Sequence, residues 1–132
     1  MRKNYNDLTI KFLKNKGYVV ERVERYNAFT RKRHDAFGII DYIALKEGEI
    51  LGVQSTGVNG KSIHKKTILS HKLTKTWLEA GGKLLLICWR KRGYRYTCDC
   101  TDFIIKEGLL TPVQIKAVKD KQSPTDTDWL NL

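Results

Sequence analysis

The sequence lacks any apolar run approaching the roughly 20 residues that a membrane-spanning helix needs. Its first segment, MRKNYNDLTIKFLKNKG, has alternating charge where a signal peptide would have an apolar stretch. No linker and no internal repeat divides the 132 residues. We therefore predict one domain over residues 1–132, large enough to bury a core without disulfides, with 120–132 as a loosely packed tail. The expected location is cytoplasmic, with no membrane partner.

Cysteine is scarce, and the three residues are Cys88, Cys98 and Cys100. One residue separates the last two, where a zinc knuckle has two, and no second pair completes four ligands. Reduced, structural thiols are predicted in place of a zinc site.

Acidic residues are outnumbered: 14 Asp and Glu stand against 25 Lys and Arg, giving a formal net charge of +11. Such an excess attracts polyanions, and nucleic acid is the usual one for a small intracellular domain. The alternative is a basic protein whose charge only keeps it soluble.

Hydrophobic periodicity and turn residues predict a helix first, then three strands, then a basic amphipathic helix and a buried strand. The predicted segments are a helix over 4–16, a strand over 18–26, a basic loop over 27–37, a hairpin of strands over 38–45 and 50–56, a helix over 61–80, a central strand over 83–90, an edge strand over 94–103 and a short helix over 112–119. This order predicts an α/β sandwich. The final helix is inferred from Thr111-Pro112, which suit an N-cap and a first-turn proline.

Polar residues near the open end of the predicted hairpin form a candidate site. Asp41 lies in the apolar segment GIIDYIAL, and Gln54 lies a similar distance beyond the turn. Alternation along a strand puts Gly52, Gln54 and Thr56 on one face. A carboxylate, an amide oxygen and a hydroxyl that converge there suit a hard cation such as Mg²⁺. In the alternative reading, Asp41 is a buried aspartate that caps local backbone amides.

Five short segments in order carry a resemblance: ERYN (24–27), DAFGIID (35–41), GVQST (52–56), WLEAGG (77–82) and WRKRG (89–93). They resemble the PD-(D/E)XK nuclease superfamily, which has the restriction-endonuclease-like fold and includes Holliday junction resolvases, and more closely its small phage- and prophage-type members. The resemblance implies an α/β fold with an αβββαβ core, a mixed central sheet flanked by helices, and Mg²⁺- or Mn²⁺-dependent cleavage of DNA. It also implies a phage or bacterial cytoplasmic origin and leaves a homodimer open.

The resemblance also assigns roles. Asp41 matches the first metal ligand and Gln54 the second, whereas Thr56 stands where the motif has a lysine. Nearby lysines could supply the missing charge: Lys61, Lys65 or Lys66. The candidate catalytic residues are Asp41, Gln54, Thr56, Glu24 and Lys65, and the candidate metal ligands are Asp41, Gln54 and Asp35.

Alternatives remain for the other two acidic candidates. Glu24 could instead pair with Arg22 or Arg25, and Asp35 could be neutralised by the basic loop. The residues predicted to contact DNA are Arg31, Lys32, Arg33, Lys61, Lys65, Lys66, Lys72, Arg92 and Arg95.

Aromatic and imidazole side chains complete the predictions. Trp77 and Trp89 are expected in the core, and Tyr94 and Tyr96 are expected to meet nucleic acid. The histidines are expected to be solvated or to face phosphates.

Three functions follow from these features. The first is a metal-dependent DNA endonuclease, structure-selective in the manner of a resolvase. The second is a nuclease-fold protein that binds nucleic acid without cutting it. The third is a basic protein-interaction module.

Overall fold

The computed structural model describes residues 5–27, 29, 32–34 and 36–118, with side chains described for 5–24, 29 and 36–115. Three α-helices, one short 3₁₀ helix at Val58–Gly60 and eight strands follow one another along these residues. The helices are α1 (Tyr5–Asn15), α2 (Lys61–Ser70) and α3 (Lys72–Glu79). The strands are β1 (Val19–Arg22), β2 (Arg25–Asn27), β3 (Lys32–His34), β4 (Tyr42–Lys46), β5 (Glu49–Gly57), β6 (Lys83–Arg92), β7 (Arg95–Lys106) and β8 (Leu109–Val118).

Six of the strands form one mixed sheet in the order β1-β4-β5-β6-β7-β8. Only the β5–β6 pair is parallel, and the 3₁₀ helix, α2 and α3 form the crossover that a parallel pair requires. The strands β2 and β3 form a separate antiparallel pair. The protein therefore belongs to the α/β class, as the order of segments predicts.

Helices cover both faces of the sheet. One core cluster packs α1, through Leu13, against residues such as Val53 and Ile87 of the sheet. The second packs α2 and α3, through Ile68 and Trp77, against the opposite face. The expected mixed sheet flanked by helices is confirmed. No helix in the described part of the chain is long and apolar enough to cross a membrane.

The elements that frame the candidate site are those that the sequence predicts. The first helix, the hairpin turning at Gly48 and the buried central strand are all present. Leu84 and Leu86 of β6 contribute to one core cluster, whereas Leu85 and Ile87 contribute to the other. This strand is continuously apolar because both of its faces are buried.

The C-terminal predictions are wrong. Residues 109–118 form the strand β8 in place of a helix, so β7 is an interior strand and β8 lies at the edge. Glu107 and Gly108 both have positive φ, as in a two-residue type I′ hairpin turn. Pro112 is tolerated because it lies in an edge strand, where its missing N–H can face solvent.

Other boundaries shift as well. The single helix predicted over 61–80 breaks at His71, whose extended backbone (φ −77°, ψ 130°) separates α2 from α3. The strand predicted over 18–26 divides into β1 and β2, and part of the basic loop pairs with β2 as β3. The strand predicted from residue 38 begins only at Tyr42. The predicted tail over 120–132 lies outside the described residues.

One buried hydrogen bond links α1 to the central strand, and it gives a test of the packing. The indole Nε1 of Trp89 donates to Oγ1 of Thr9 across 2.9 Å, and both side chains are buried. Thr9→Val should lower the free energy of unfolding by about 1–3 kcal/mol, because the indole N–H loses its partner in an apolar layer. Urea denaturation measures this change.

Thr76→Val is the matched control, since Thr76 is exposed on α3. This substitution should change the free energy of unfolding by no more than about 0.5 kcal/mol. Equal effects of the two substitutions would contradict the assigned packing.

Candidate active site

Asp41 lies at a bend immediately before β4, where three strands meet. Its backbone N–H donates to the carbonyl of Val53 on β5 (2.9 Å). Its own carbonyl accepts from the N–H groups of Val23 (2.8 Å) and Glu24 (3.1 Å) at the end of β1. These bonds fix the backbone of Asp41, so its position depends on the sheet and not on a loose loop.

The Asp41 side chain is nearly buried, with 7% exposed. Its Oδ2 accepts from the backbone N–H of Ser55 across 3.4 Å. This contact agrees with the reading of Asp41 as a cap for backbone amides, but a carboxylate has further lone pairs on both oxygens. Asp41 is therefore anchored and can still serve as a ligand.

Gln54 lies near the backbone of Asp41 at the open end of the hairpin. The strand register ends with the pair Tyr42 and Val53, and Asp41 then bonds to Val53 and Ser55, the two residues that flank Gln54. Gly52, Gln54 and Thr56 share the face toward α2 and α3: a methyl group on Gly52 would contact Trp77, and Gln54 contacts His64. The predicted parity is confirmed.

His64 makes a contact with Gln54 that its position on a basic helix does not predict. Its Nδ1 lies 2.9 Å from Oε1 of Gln54, and the imidazole is half-buried. Because an amide oxygen only accepts, Nδ1 carries the hydrogen, and one lone pair of Oε1 remains. The contact with Gln54 is not predicted by the sequence, because it depends on how α2 crosses the sheet.

Thr56, Gly60 and His64 pack closely at the start of α2. A methyl group on Gly60 would lie 2.3 Å from Oγ1 of Thr56 and 3.2 Å from Cδ2 of His64. The Thr56 hydroxyl donates to the Gly57 carbonyl (3.2 Å). At the position where the resembled motif has a lysine, this chain therefore has a nearly buried hydroxyl, directly beneath α2.

Glu24 has the ion pair that its alternative reading predicted. Its Oε1 lies 3.0 Å from Nη2 of Arg22. Its backbone is bonded to that of Asp41, so its carboxyl belongs to the same corner of the sheet.

Burial raises the pKa of the neighbouring Tyr42, a hydrogen bond with Ser55 lowers it, and the charge of Asp41 raises it further.

The lysines of α2 differ in their contacts. Lys61 lies 3.0 Å from Oδ1 of Asp99 on β7 and also donates to Gln114 (3.2 Å), so its charge is neutralised locally. Lys65 is half-buried, and Lys66 is exposed. Lys65 makes no hydrogen bond or ion pair in the described part of the chain. Of the three candidates for the missing cation, Lys61 is thus the least available.

Cys88 lies beside Thr56 on the adjacent strand and is buried. Burial raises the pKa of its thiol, and the nearby Asp99 raises it further. The thiol therefore stays protonated at neutral pH and is a poor metal ligand or nucleophile.

Only some of the remaining candidates lie in the described part of the chain. Asp35 and Arg31 are outside the described residues, as are the side chains of Lys32 and Arg33. Lys72 is exposed at the start of α3. Arg92 and Arg95 pair with each other near the tip of the β6–β7 hairpin.

Among the residues that the structure describes, no three His, Cys, Asp or Glu side chains are grouped to hold a metal ion. Any cation at this corner would have to take amide, water or phosphate oxygens in addition to carboxylates.

No protein-family model matches the chain, and no curated protein matches it either.

The contact beneath α2 gives a test of the site's construction. Gly60→Ala should push the helix away from Thr56 and lower the free energy of unfolding by about 1–3 kcal/mol, because a short side chain cannot move aside cheaply. Chemical denaturation measures the change. Ser62→Ala, at an exposed position two residues later, serves as the control and should be nearly neutral. A neutral Gly60→Ala would show that α2 lies farther from the sheet.

Proposed function

We propose that this protein is a metal-dependent DNA endonuclease with a restriction-endonuclease-like core. The observation that carries the proposal is the position of Asp41 at the open end of the β4–β5 hairpin, where its N–H and its carboxylate bond to the backbone of Val53 and Ser55, the two residues that flank Gln54. The Asp41 and Gln54 side chains are nearly buried, and the basic helix α2 covers this face of the sheet through His64. The net charge of +11 supplies the attraction for a polyanionic substrate.

The topology supports the proposal. A helix, a three-stranded antiparallel unit (β1, β4, β5), a helical crossover and a parallel strand (β6) follow one another along the chain. This order resembles the αβββαβ core that the resemblance implies, with the β2–β3 pair inserted between β1 and β4 and with β7 and β8 added at one edge. The fold alone would allow many functions, so the proposal depends on the residues at the hairpin.

The oxygen donors at this corner fit a hard cation. Asp41 offers a carboxylate, Gln54 an amide oxygen with one remaining lone pair, and Glu24 a second carboxylate on the adjoining strand end. Mg²⁺ suits such a set because it keeps several waters and takes substrate phosphate oxygens as ligands. A bound Mg²⁺ would polarise the phosphate and lower the pKa of an attacking water.

The chain's own residues would orient the substrate. His64 holds the Gln54 amide, and Thr56 offers a hydroxyl where the motif has a lysine. Lys65 is our candidate for the missing charge, because it is half-buried on α2 and makes no hydrogen bond or ion pair among the described residues. Its ammonium would stabilise the negative charge that develops on the phosphate.

Cleavage of DNA by Asp41→Asn gives the direct test. With Mg²⁺ or Mn²⁺ and branched, nicked or linear DNA, the wild type should cut at least one substrate. The variant should be slower by at least about 100-fold, since even the outer partners of metal ligands are typically worth 10–100-fold. Gel electrophoresis of end-labelled DNA measures the rates.

Asp7→Asn provides the matched control, because Asp7 is an exposed carboxylate on α1, which covers the other face of the sheet. It should cut like the wild type. Equal cleavage by Asp41→Asn, or no cleavage of any substrate by the wild type, would contradict the proposal.

A second function is favoured by two specific observations. Thr56 cannot supply the charge of the motif lysine, and the Gln54 oxygen is already hydrogen-bonded to His64. Both fit a protein that binds nucleic acid without cutting it.

Binding without cleavage makes its own prediction. Affinity for duplex DNA should survive EDTA and fall with salt at a log-log slope of about −0.9 for each phosphate contacted. Fluorescence anisotropy at several salt concentrations measures the slope. A flat salt response, together with no retention on heparin, would instead favour a protein-interaction module.

A further inference from the structure

The β6–β7 hairpin extends past its neighbours in the sheet. The last pair between β5 and β6 is Gly57 with Trp89, and the β7–β8 pairing begins at Cys98. Within the described chain, residues 90–97 therefore pair only with one another, as a two-stranded ribbon closed by Gly93 and Tyr94. Three residue pairs at about 3.4 Å each make this ribbon about 10 Å long.

The ribbon is strongly cationic. It carries Arg90, Lys91, Arg92 and Arg95 and no acidic residue. Arg92 and Arg95 are partners across the two strands, so two guanidinium groups lie near the tip of the ribbon.

The arginines lie on the same face as the candidate site. Leu84 and Leu86 of β6 belong to the core cluster beneath α2 and α3. Alternation along the strand places Arg90 and Arg92 on that face, and Arg95 shares it because it is opposite Arg92. The ribbon's arginines therefore lie on the face of the sheet that carries Gln54.

An aromatic side chain stands at the tip. Tyr94 is fully exposed in the two-residue loop. Tyr96, by contrast, packs against the core on the α1 side, with the ammonium of Lys91 5.9 Å from its ring centroid. Of the ribbon's two tyrosines, Tyr94 is thus the one with an exposed ring that a partner can contact.

The shape of this surface favours nucleic acid over other polyanions. The major groove of a duplex, about 12 Å wide, admits a two-stranded ribbon. An exposed aromatic ring can stack on any base that is not already stacked on both sides. A lipid surface would call for several apolar side chains, and the ribbon carries only one exposed ring.

We propose that the ribbon, residues 90–97, lies in the groove of a duplex arm, with its arginines on phosphates and Tyr94 stacked on an unpaired base. The inference rests on the proposed function and specifies its substrate class: duplex DNA that contains a bulged base.

Binding measured in EDTA tests the inference apart from catalysis. The probes are a labelled duplex and the same duplex with one bulged base, and the variants are Tyr94→Ala, Tyr94→Phe and Arg92→Ala. The wild type should prefer the bulged duplex. Tyr94→Ala should lose about 5-fold to 150-fold in affinity for that duplex and little for the intact one, whereas Tyr94→Phe should keep the preference.

Arg92→Ala should weaken binding to both duplexes and reduce the salt slope by about 0.9. Lys11→Ala removes one charge from an exposed position on α1 and should leave the slope unchanged. Thermal melting should show that all variants fold as the wild type does, since the changed side chains are exposed.

Three results would overturn the inference: a wild type without preference for the bulged duplex, a Tyr94→Ala variant that keeps this preference, or an Arg92→Ala variant with the salt slope of the wild type. Loss of preference in Tyr94→Ala with no cleavage by the wild type would support the ribbon's role and contradict only the nuclease proposal. Cleavage by the wild type without any preference for the bulged duplex would support the nuclease proposal and contradict the ribbon's role.

Discussion

The register between β4 and β5 is the constraint on which the site depends. Tyr42 pairs with Val53, and Asp41 bonds to Val53 through its N–H and to Ser55 through its carboxylate, so Asp41 lies at the level of Gln54. A shift of one residue would turn Gln54 to the opposite face, because side chains alternate along a strand. The buried neighbours Tyr42 and Val53 oppose such a shift, since it would expose them or bury polar groups in their place.

The crossover helices add the second layer of the site. The 3₁₀ turn and Gly60 bring α2 close enough for His64 to reach Gln54, and Trp77 of α3 packs against Gly52 on the same strand. The polar side chains of β5 are therefore enclosed between sheet and helix. In such a setting a carboxylate such as Asp41 interacts more strongly with a nearby cation than it would in water.

Sequence patterns predicted this corner because its signals are local. The Lys46-Glu47-Gly48-Glu49 turn sets which residues of β4 and β5 are partners. Alternation along β5 sets the face of the sheet on which each side chain lies. The same Lys-Glu-Gly turn recurs at Lys106, where Thr111-Pro112 suggested a helix start instead. Pairing with β7 overrode that signal, because a strand there extends the sheet and contributes Ile115 to the core.

The contacts missed from the sequence are those made between elements distant in the chain. His64 reaches Gln54 and Lys61 reaches Asp99 only because α2 crosses β5 to β8 in a particular direction. The break at His71 was missed for a similar reason. Its imidazole caps α3 by accepting from the Leu73 N–H (3.1 Å), although the helical periodicity continues through it.

A crystal grown with Mn²⁺ would test the central claim most directly, through the anomalous signal of the bound ion. We predict a peak between the Asp41 carboxylate and Oε1 of Gln54, with water completing its coordination. A map with no peak at this corner, or with the two side chains turned away from each other, would contradict the account.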